Sequence, residues 1–256
     1  MTKRFVHVAA GVIKRPDGTF LLASRPEGKP MAGYWEFPGG KIEAGESAAE
    51  ALQRELHEEL GITMQEALPW VTQNFDYTHA RVRLHFFQVE QWQGEPQAHE
   101  GQQMAWVSPA HHAVEPVLPA NAAILRWLAL PDQMQVGSAA AECVLLSQLP
   151  QQSQRGEVCG VLGPQPLQHW SASDLMLQTV RPAAVSWCGA QVQSHEQLLH
   201  AARLGLDYVW ADDSVTLAEI QAWCVDGPPL PLFASTHRFP EGLAAARHIG
   251  VHGLLR

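Results

Sequence analysis

The stretch GGKIEAGESAAEALQRELHEELGI, residues 39–62, reads as a glycine-led turn running into one short, heavily acidic helix. Ser47 and Glu50 stand at the S-x-x-E spacing of a capping box, and Gly61 falls where a left-handed C-cap belongs. At a helical advance of about 100° per residue, Leu52, Leu56 and Leu60 form one apolar stripe, and Glu55, Glu58 and Glu59 share an arc of roughly 100° beside it. The leucines are expected inside and the acids are expected to converge. Like charges at i,i+3 and i,i+4 cost roughly 0.2–0.5 kcal/mol per pair, and the last helical turn favours cations. Arg54 offsets Glu58 at i+4, but one arginine does not balance three acids. The acids are either a solvated face or a set of hard oxygen donors for a divalent cation, Mg2+ or Mn2+.

A chain of 256 residues with 46% hydrophobic content is expected to form two domains with packed cores. The N-terminus lacks a basic-plus-apolar leader, and no apolar run reaches about 18 residues, so the expectation is a soluble, cytoplasmic protein with no membrane partner. The four cysteines, Cys143, Cys159, Cys188 and Cys224, show neither a C-x-x-C nor a zinc spacing and are expected to be buried free thiols. A formal net charge of −9 argues against a nucleic-acid polymer, whose sequence-independent affinity comes from many Lys and Arg on phosphates. A free nucleotide is compatible with that charge, because its few phosphates need only metal ions and two or three basic side chains.

Taken in order, residues 5–13 (FVHVAAGVI) and 19–24 (TFLLAS) read as strands joined through Pro16-Asp17-Gly18 as a hairpin. Residues 25–38, RPEGKPMAGYWEFP, form a Pro/Gly loop with a short aromatic strand that delivers Gly39 and Gly40. Strands are expected at 68–77, 80–92 and 104–107, with Glu100 in the middle of the polar loop 95–103. Pro119-Ala120-Asn121 precedes an amphipathic helix, AAILRWLAL, which Pro131 ends. Residues 132–140, DQMQVGSAA, read as a linker between a first domain at 1–131 and a second at 141–256. In the second, short apolar strands (CVLLSQL, EVCGVLG, AAVSWCG, LPLFAS) alternate with Ala/Leu helices, the pattern of parallel βα units. That length falls short of a whole (β/α)8 barrel, which needs roughly 200 residues or more.

Read from Gly40, the acidic stretch fits G-x5-E-x7-R-E-U-x-E-E-x-G-U at Gly40, Glu46, Arg54, Glu55, Leu56, Glu58, Glu59, Gly61 and Ile62. It resembles the signature of the Nudix hydrolases, which implies Mg2+-dependent hydrolysis of a nucleoside diphosphate linked to another group, on a mixed α/β sandwich. Residues 4–130 further resemble the MutT type, which clears oxidised nucleoside triphosphates such as 8-oxo-dGTP, through VAAGVI, FLLASRPEGK, AGYWEFPGGKIEAGE, VEQWQGEPQAHEGQQMAWV and LPAN. The resemblance implies a metal held by the Gly39 carbonyl and the Glu58, Glu59 and Glu100 carboxylates, with Glu55 as general base or additional ligand. It implies phosphate contacts from Arg25 and Lys41, purine reading by Asn121, and apolar walls from Phe37 and Val82. Blander readings stand beside these: Asn121 as the N-cap of the last helix, Glu100 and Arg25 as surface charges, Phe37 and Val82 as core. The same chemistry on a thiamine-related diphosphate or a pyrimidine triphosphate is the alternative function, and a non-catalytic binding module is the alternative from another class. A monomer or small homo-oligomer is expected.

From about Arg181 onward, SHEQLLHAARLGLDYVWA (194–211), LPLFAST (230–236) and GVHGLL (250–255) resemble the C-terminal half of thiamine phosphate synthase and its TenI relatives. Ser235-Thr236 replaces the phosphate-binding glycine pair of that family, and Asp212-Asp213-Ser214 stands at its glycine-proline phosphate loop. Aspartates there repel phosphate. The resemblance implies a degenerate, shortened, TIM-barrel-like βα domain without synthase activity.

Overall fold

The computed structural model describes residues 4–78, 80–109, 114–134, 167–183 and 187–255. Two compact units divide the chain, Met1–Ala129 and Leu130–Arg256.

In the first unit the strands are β1 (Arg4–Ile13), β2 (Phe20–Ser24), β3 (Trp35–Glu36), β4 (Gly39–Lys41), β5 (Thr63–Met64), β6 (Leu68–Asp76), β7 (Ala80–Val89), β8 (Trp92–Gln93) and β9 (Met104–Val107). The helices are α1 (Ala48–Leu60) and α2 (Ala122–Trp127), the latter preceded by a 3-10 turn at Pro119–Asn121. A mixed sheet runs in the order β4-β1-β7-β6, with β1 and β7 parallel and the outer pairs antiparallel; β3-β2-β9 make a second, antiparallel sheet, and β5 pairs with β8. The expected hairpin closes only at the Lys14–Phe20 bridge, beyond which β1 and β2 part into different sheets. Burial explains the divergence. Ala9, Ala10, Val12 and Ile13 of β1 and Phe20, Leu21 and Leu22 of β2 are all nearly inaccessible. Strands buried on both faces take central positions, each with two partners of its own.

Helix α1 begins and ends as its sequence dictates. Ser47 and Glu50 form the reciprocal capping box, and Gly61 adopts φ 67° as a left-handed cap whose N–H donates to His57 O. The stripe of Leu52, Leu56 and Leu60 is completely buried against Ala9, Ile13, Leu21, Ile62 and Val89. That contact sets the helix's rotation about its axis and so decides where its glutamates face.

The second unit contains β10 (Gln133–Met134), β11 (Leu167–Trp170), α3 (Ala172–Leu175), β12 (Trp187–Val192), α4 (His195–Arg203), β13 (Tyr208–Ala211), α5 (Leu217–Cys224), β14 (Leu232–Ser235), α6 (Leu243–His248) and β15 (Gly253–Leu255). Among the described residues, six strands of this unit are all parallel in the order β10-β15-β14-β13-β12-β11. The expected linker at 132–140 is corrected at its start. Gln133 and Met134 join the sheet beside β15, Asp132 O accepts the Leu254 N–H at 2.9 Å, and the Asp132 carboxylate takes Arg247 Nη2 at 2.5 Å. Met134, 1% exposed, gains burial there, and the edge of β15 gains hydrogen bonds. Residues 135–140 and the expected strands CVLLSQL and EVCGVLG, with Cys143 and Cys159, lie outside the described residues. Cys188 and Cys224 are buried free thiols, pushed by burial up to about 11 and about 12 respectively.

Candidate functional site

The site is assembled by three segments of the first unit: strand β4, helix α1 and the loop 95–103. Gly39 holds φ 140°, and a Cβ there would stand 2.2 Å from Ala9 O, because β4 lies against β1 with Ala10 opposite Gly39. At Gly40 a Cβ would fall 2.2 Å from the Glu55 carboxylate carbon. Gly39 needs glycine because a Cβ there meets backbone, whereas at Gly40 a Cβ meets only the Glu55 side chain; their bareness lets the helix carboxylates approach the strand backbone.

Glu59 is the centre of this approach. Its Oε2 accepts the Gly39 N–H at 3.1 Å, yet burial, then the charges of Glu55, Glu100 and Glu36, push its carboxyl up to about 7. The loop carrying Glu100 is fastened to the C-terminal carbonyls of α1. The His99 N–H donates to Glu59 O at 3.0 Å, the Gln97 N–H to Leu60 O at 3.0 Å, and Gln102 Nε2 to Glu59 O at 2.8 Å. Carbonyls left open at a helix end thus position the acid of another loop.

Arg54 organises the flank of the site. Its guanidinium reaches Glu46 at 2.8 and 3.0 Å, the Lys41 carbonyl at 3.0 Å, Glu55 Oε1 at 2.9 Å and Glu58 Oε2 at 3.4 Å. The same guanidinium holds the Glu46 carboxyl down to about 2, with help from the Glu43 N–H. One planar fork therefore ties the turn 41–46 to the helix and orients Glu55. Glu58, with its side chain 57% exposed, faces outward more than its neighbours.

The other expected residues are placed as follows. Arg25 is engaged within the chain: Nη1 meets both oxygens of Glu36 at 2.7 Å, and Nε donates to Pro30 O at 2.7 Å. Expected as a phosphate contact, it is here the counter-ion of Glu36, a half-buried carboxylate that desolvation pushes above its usual range and Arg25 pulls back. Lys41 is exposed on β4, and its ammonium makes no ion pair among the described residues. Phe37 is 3% exposed and sits between the rings of Phe20 and Phe86, with centroids 5.7 and 5.8 Å away, which makes it core rather than an open pocket wall. Val82 is half-buried on β7, opposite Val6 and Phe75, on the face it shares with Leu84 and Phe86.

Asn121, 3% exposed, closes the 3-10 turn and stands at the N-cap position of α2, as one of its two readings expects, but its side chain makes no cap hydrogen bond to the helix. The turn is tied to the site through β3. The Trp35 N–H donates to Pro116 O at 2.8 Å and the Leu118 N–H to Trp35 O at 2.9 Å. Glu36, next along β3, belongs to the field acting on Glu59, and its charge also acts on Tyr77, whose hydroxyl bonds the Ala120 backbone. Glu36, Gln102 and Lys29, whose Nζ pairs with Glu100 at 2.6 Å, are participants that sequence reasoning missed. The one available signal was that Glu36 and Lys29 lie in the loop and strand leading directly into Gly39 and Gly40.

Chemically, this is a set of hard oxygen donors around a carboxyl that burial, and then the neighbouring acids, push up to about 7, which suits a hard divalent cation. Among the described residues no three acids, histidines or cysteines are drawn into one cluster; Arg54 pairs with Glu55 and Lys29 with Glu100. The carboxylates are neighbours whose repulsion the chain's own cations offset. In the second unit, the carboxylate after β13 is turned inward on its own loop. Asp212 Oδ1 accepts the Ser214 N–H at 2.8 Å and Oδ2 accepts Gln191 Nε2 at 2.5 Å.

A mixed α/β fold with a glycine strand laid against a glutamate-bearing helix defines a class of acid-centred hydrolase, and the comparisons agree. A Nudix domain model matches residues 9–127, all within the first unit. The 8-oxo-dGTP diphosphatase of Haemophilus influenzae is 40% identical over 50% of this chain and 94% of its own length. The CTP pyrophosphohydrolase of Escherichia coli is 39% identical over 48% of this chain and 90% of its own length, and the 8-oxo-dGTP diphosphatase of the same organism 35% identical over 48% and 95%. The chain belongs to the Nudix family of hydrolases, whose members act with divalent metal ions. No helix among the described residues is long and apolar enough to cross a membrane.

Proposed function

We propose that the first unit hydrolyses nucleoside triphosphates to the monophosphate and pyrophosphate, with oxidised purine nucleotides such as 8-oxo-dGTP as substrates, and so sanitises the cytoplasmic nucleotide pool. The observation that carries this reading is the approach of Glu55 and Glu59 to the bare Gly39–Gly40 strand, with a Glu59 carboxyl that burial, and then the charges of Glu55, Glu100 and Glu36, push up to about 7. The Gly39 carbonyl and Glu55, Glu58, Glu59 and Glu100 would hold Mg2+, with Mn2+ as a substitute. When bound, such a cation neutralises polyphosphate charge and makes water a better nucleophile. Glu55, oriented by Arg54, takes the proton of the attacking water or adds a ligand. Lys41 meets the phosphates, joined by Arg25 through the part of its guanidinium not turned to Glu36. Asn121 offers a donor and an acceptor to a purine edge from a largely buried position, where an unmatched base leaves it unpaired. Val82 flanks the base.

The similarity to a CTP pyrophosphohydrolase favours a second reading, in which a pyrimidine triphosphate is the better substrate. Pyrophosphate release from 8-oxo-dGTP, dGTP, CTP and dCTP with Mg2+ separates the two. The first reading requires 8-oxo-dGTP to have the highest kcat/KM, and it is abandoned if CTP is cleaved well and 8-oxo-dGTP is not. The second unit we infer to be a shortened TenI-like barrel that has lost its phosphate loop. Its first strand beside its last, β10 against β15, supports that reading.

A further inference from the structure

Lys29 belongs to neither the family motif nor the proposed phosphate contacts, yet it reaches the acid centre. It sits on the loop between β2 and β3, whose neck is closed by the Gly33 N–H to Arg25 O at 2.9 Å and the Arg25 N–H to Tyr34 O at 2.8 Å. At the tip, Gly28 holds φ 87° and Met31 φ 59°, a backbone that L side chains rarely adopt. From this loop Lys29 Nζ stands 2.6 Å from Glu100 Oε2. Glu100 is fixed from the other side by the bonds that dock its loop on α1. Both partners are open to water, with side chains 45% and 41% exposed, so the pair is weak and a doubly charged ion displaces it readily. An ammonium released there stays within one loop of the carboxylates that hold the cation.

We propose that Lys29 is a built-in counter-cation: it holds Glu100 in the metal-free chain, yields it to the divalent ion, and then meets the polyphosphate that the ion carries. This rests on the divalent-cation reading of the acid centre. It gives Lys29 two effects of opposite sign. Against the metal it competes, and toward the nucleotide it binds. A lysine that merely tethered two loops would have neither combination.

The test uses the full chain as wild type, Lys29→Ala and Lys29→Arg, with folding checked by circular dichroism. Mn2+ binding to nucleotide-free protein is followed by electron paramagnetic resonance, and KM and kcat are measured at saturating Mg2+ on the triphosphate that wild type cleaves fastest. In Lys29→Ala, Mn2+ should bind roughly two- to five-fold more tightly, as expected for loss of an exposed competing charge. KM for the nucleotide should rise roughly ten-fold with little change in kcat, the signature of lost ground-state binding. Lys29→Arg should restore wild-type behaviour in both. Unchanged or weaker Mn2+ binding in Lys29→Ala, or an unchanged KM, overturns the proposal while leaving the metal reading intact. A wild type that takes up no Mn2+ sinks both.

Discussion

Replacing Glu59 by Gln should stabilise the metal-free protein, and only at neutral and alkaline pH. The Glu59 carboxyl stands at about 7 in the folded chain against 4.5 ordinarily, chiefly because it is buried and secondarily because Glu55, Glu100 and Glu36 face it. A raised carboxyl ionises more easily in the unfolded chain, so stability falls as pH rises from about 4.5 to about 7 and is level above. At about 1.4 kcal/mol per unit, the full penalty above pH 7 is about 3 kcal/mol, an upper value because the side chain relaxes and water enters. Glutamine keeps an oxygen for the Gly39 N–H and carries no charge. The unfolding midpoint of the first unit, read by thermal melts in EDTA, should therefore match wild type near pH 4.5 and exceed it at pH 8 by up to roughly 10 °C. Mg2+ should reverse the order, raising the wild type and leaving Glu59→Gln unmoved. A variant less stable than wild type at pH 8 in EDTA, or a shift equal at both pH values, would refute the raised Glu59 carboxyl and the burial behind it.

Gly40→Ala should lower kcat/KM by about 100-fold while costing at most about 1–2 kcal/mol of stability, since its Cβ displaces only the Glu55 carboxylate, a movable side chain; steady-state kinetics and melts on one preparation separate the two. Gly39→Ala meets backbone instead, at Ala9 O, and should destabilise the first unit by about 3 kcal/mol in denaturant titrations. Arg54→Lys should behave nearly as Arg54→Ala in activity, because a point charge does not span Glu46, Glu55 and the Lys41 carbonyl together; full activity in the lysine variant would contradict that. Asn121→Ala should cost about 10- to 100-fold in kcat/KM for 8-oxo-dGTP and much less for CTP, measured by competition between the two substrates. Equal losses would remove the base-reading role.

Helix α1 was legible down to its caps, because capping, stripe and glycine stop are all set within a few residues of one another. The acids that lie on it were legible for the same reason. Strands β6, β7 and β9 were found from their composition, but their partners were not. The hairpin expected between β1 and β2 is present at its turn, but the two strands then part into different sheets, because pairing depends on which faces are buried, a property of the assembled unit. Gln133–Met134 was mistaken for linker because two residues carry no periodicity, and only the edge of β15 makes them a strand.

What the chain's order of residues determined alone was the helix, its register against a leucine-lined core and the family to which the first unit belongs. Only the folded arrangement decided the electrostatics: that Arg25 pairs with Glu36, that Phe37 is walled into the core, that Lys29 crosses to Glu100, and that Glu59 is the carboxyl raised by burial. Local geometry follows from neighbours in sequence, and Glu55, one helical turn before Glu59, could be read there; the burial of Glu59 and the charges of Glu36 and Glu100, 23 and 41 residues away along the chain, come only from the assembled strands and loops.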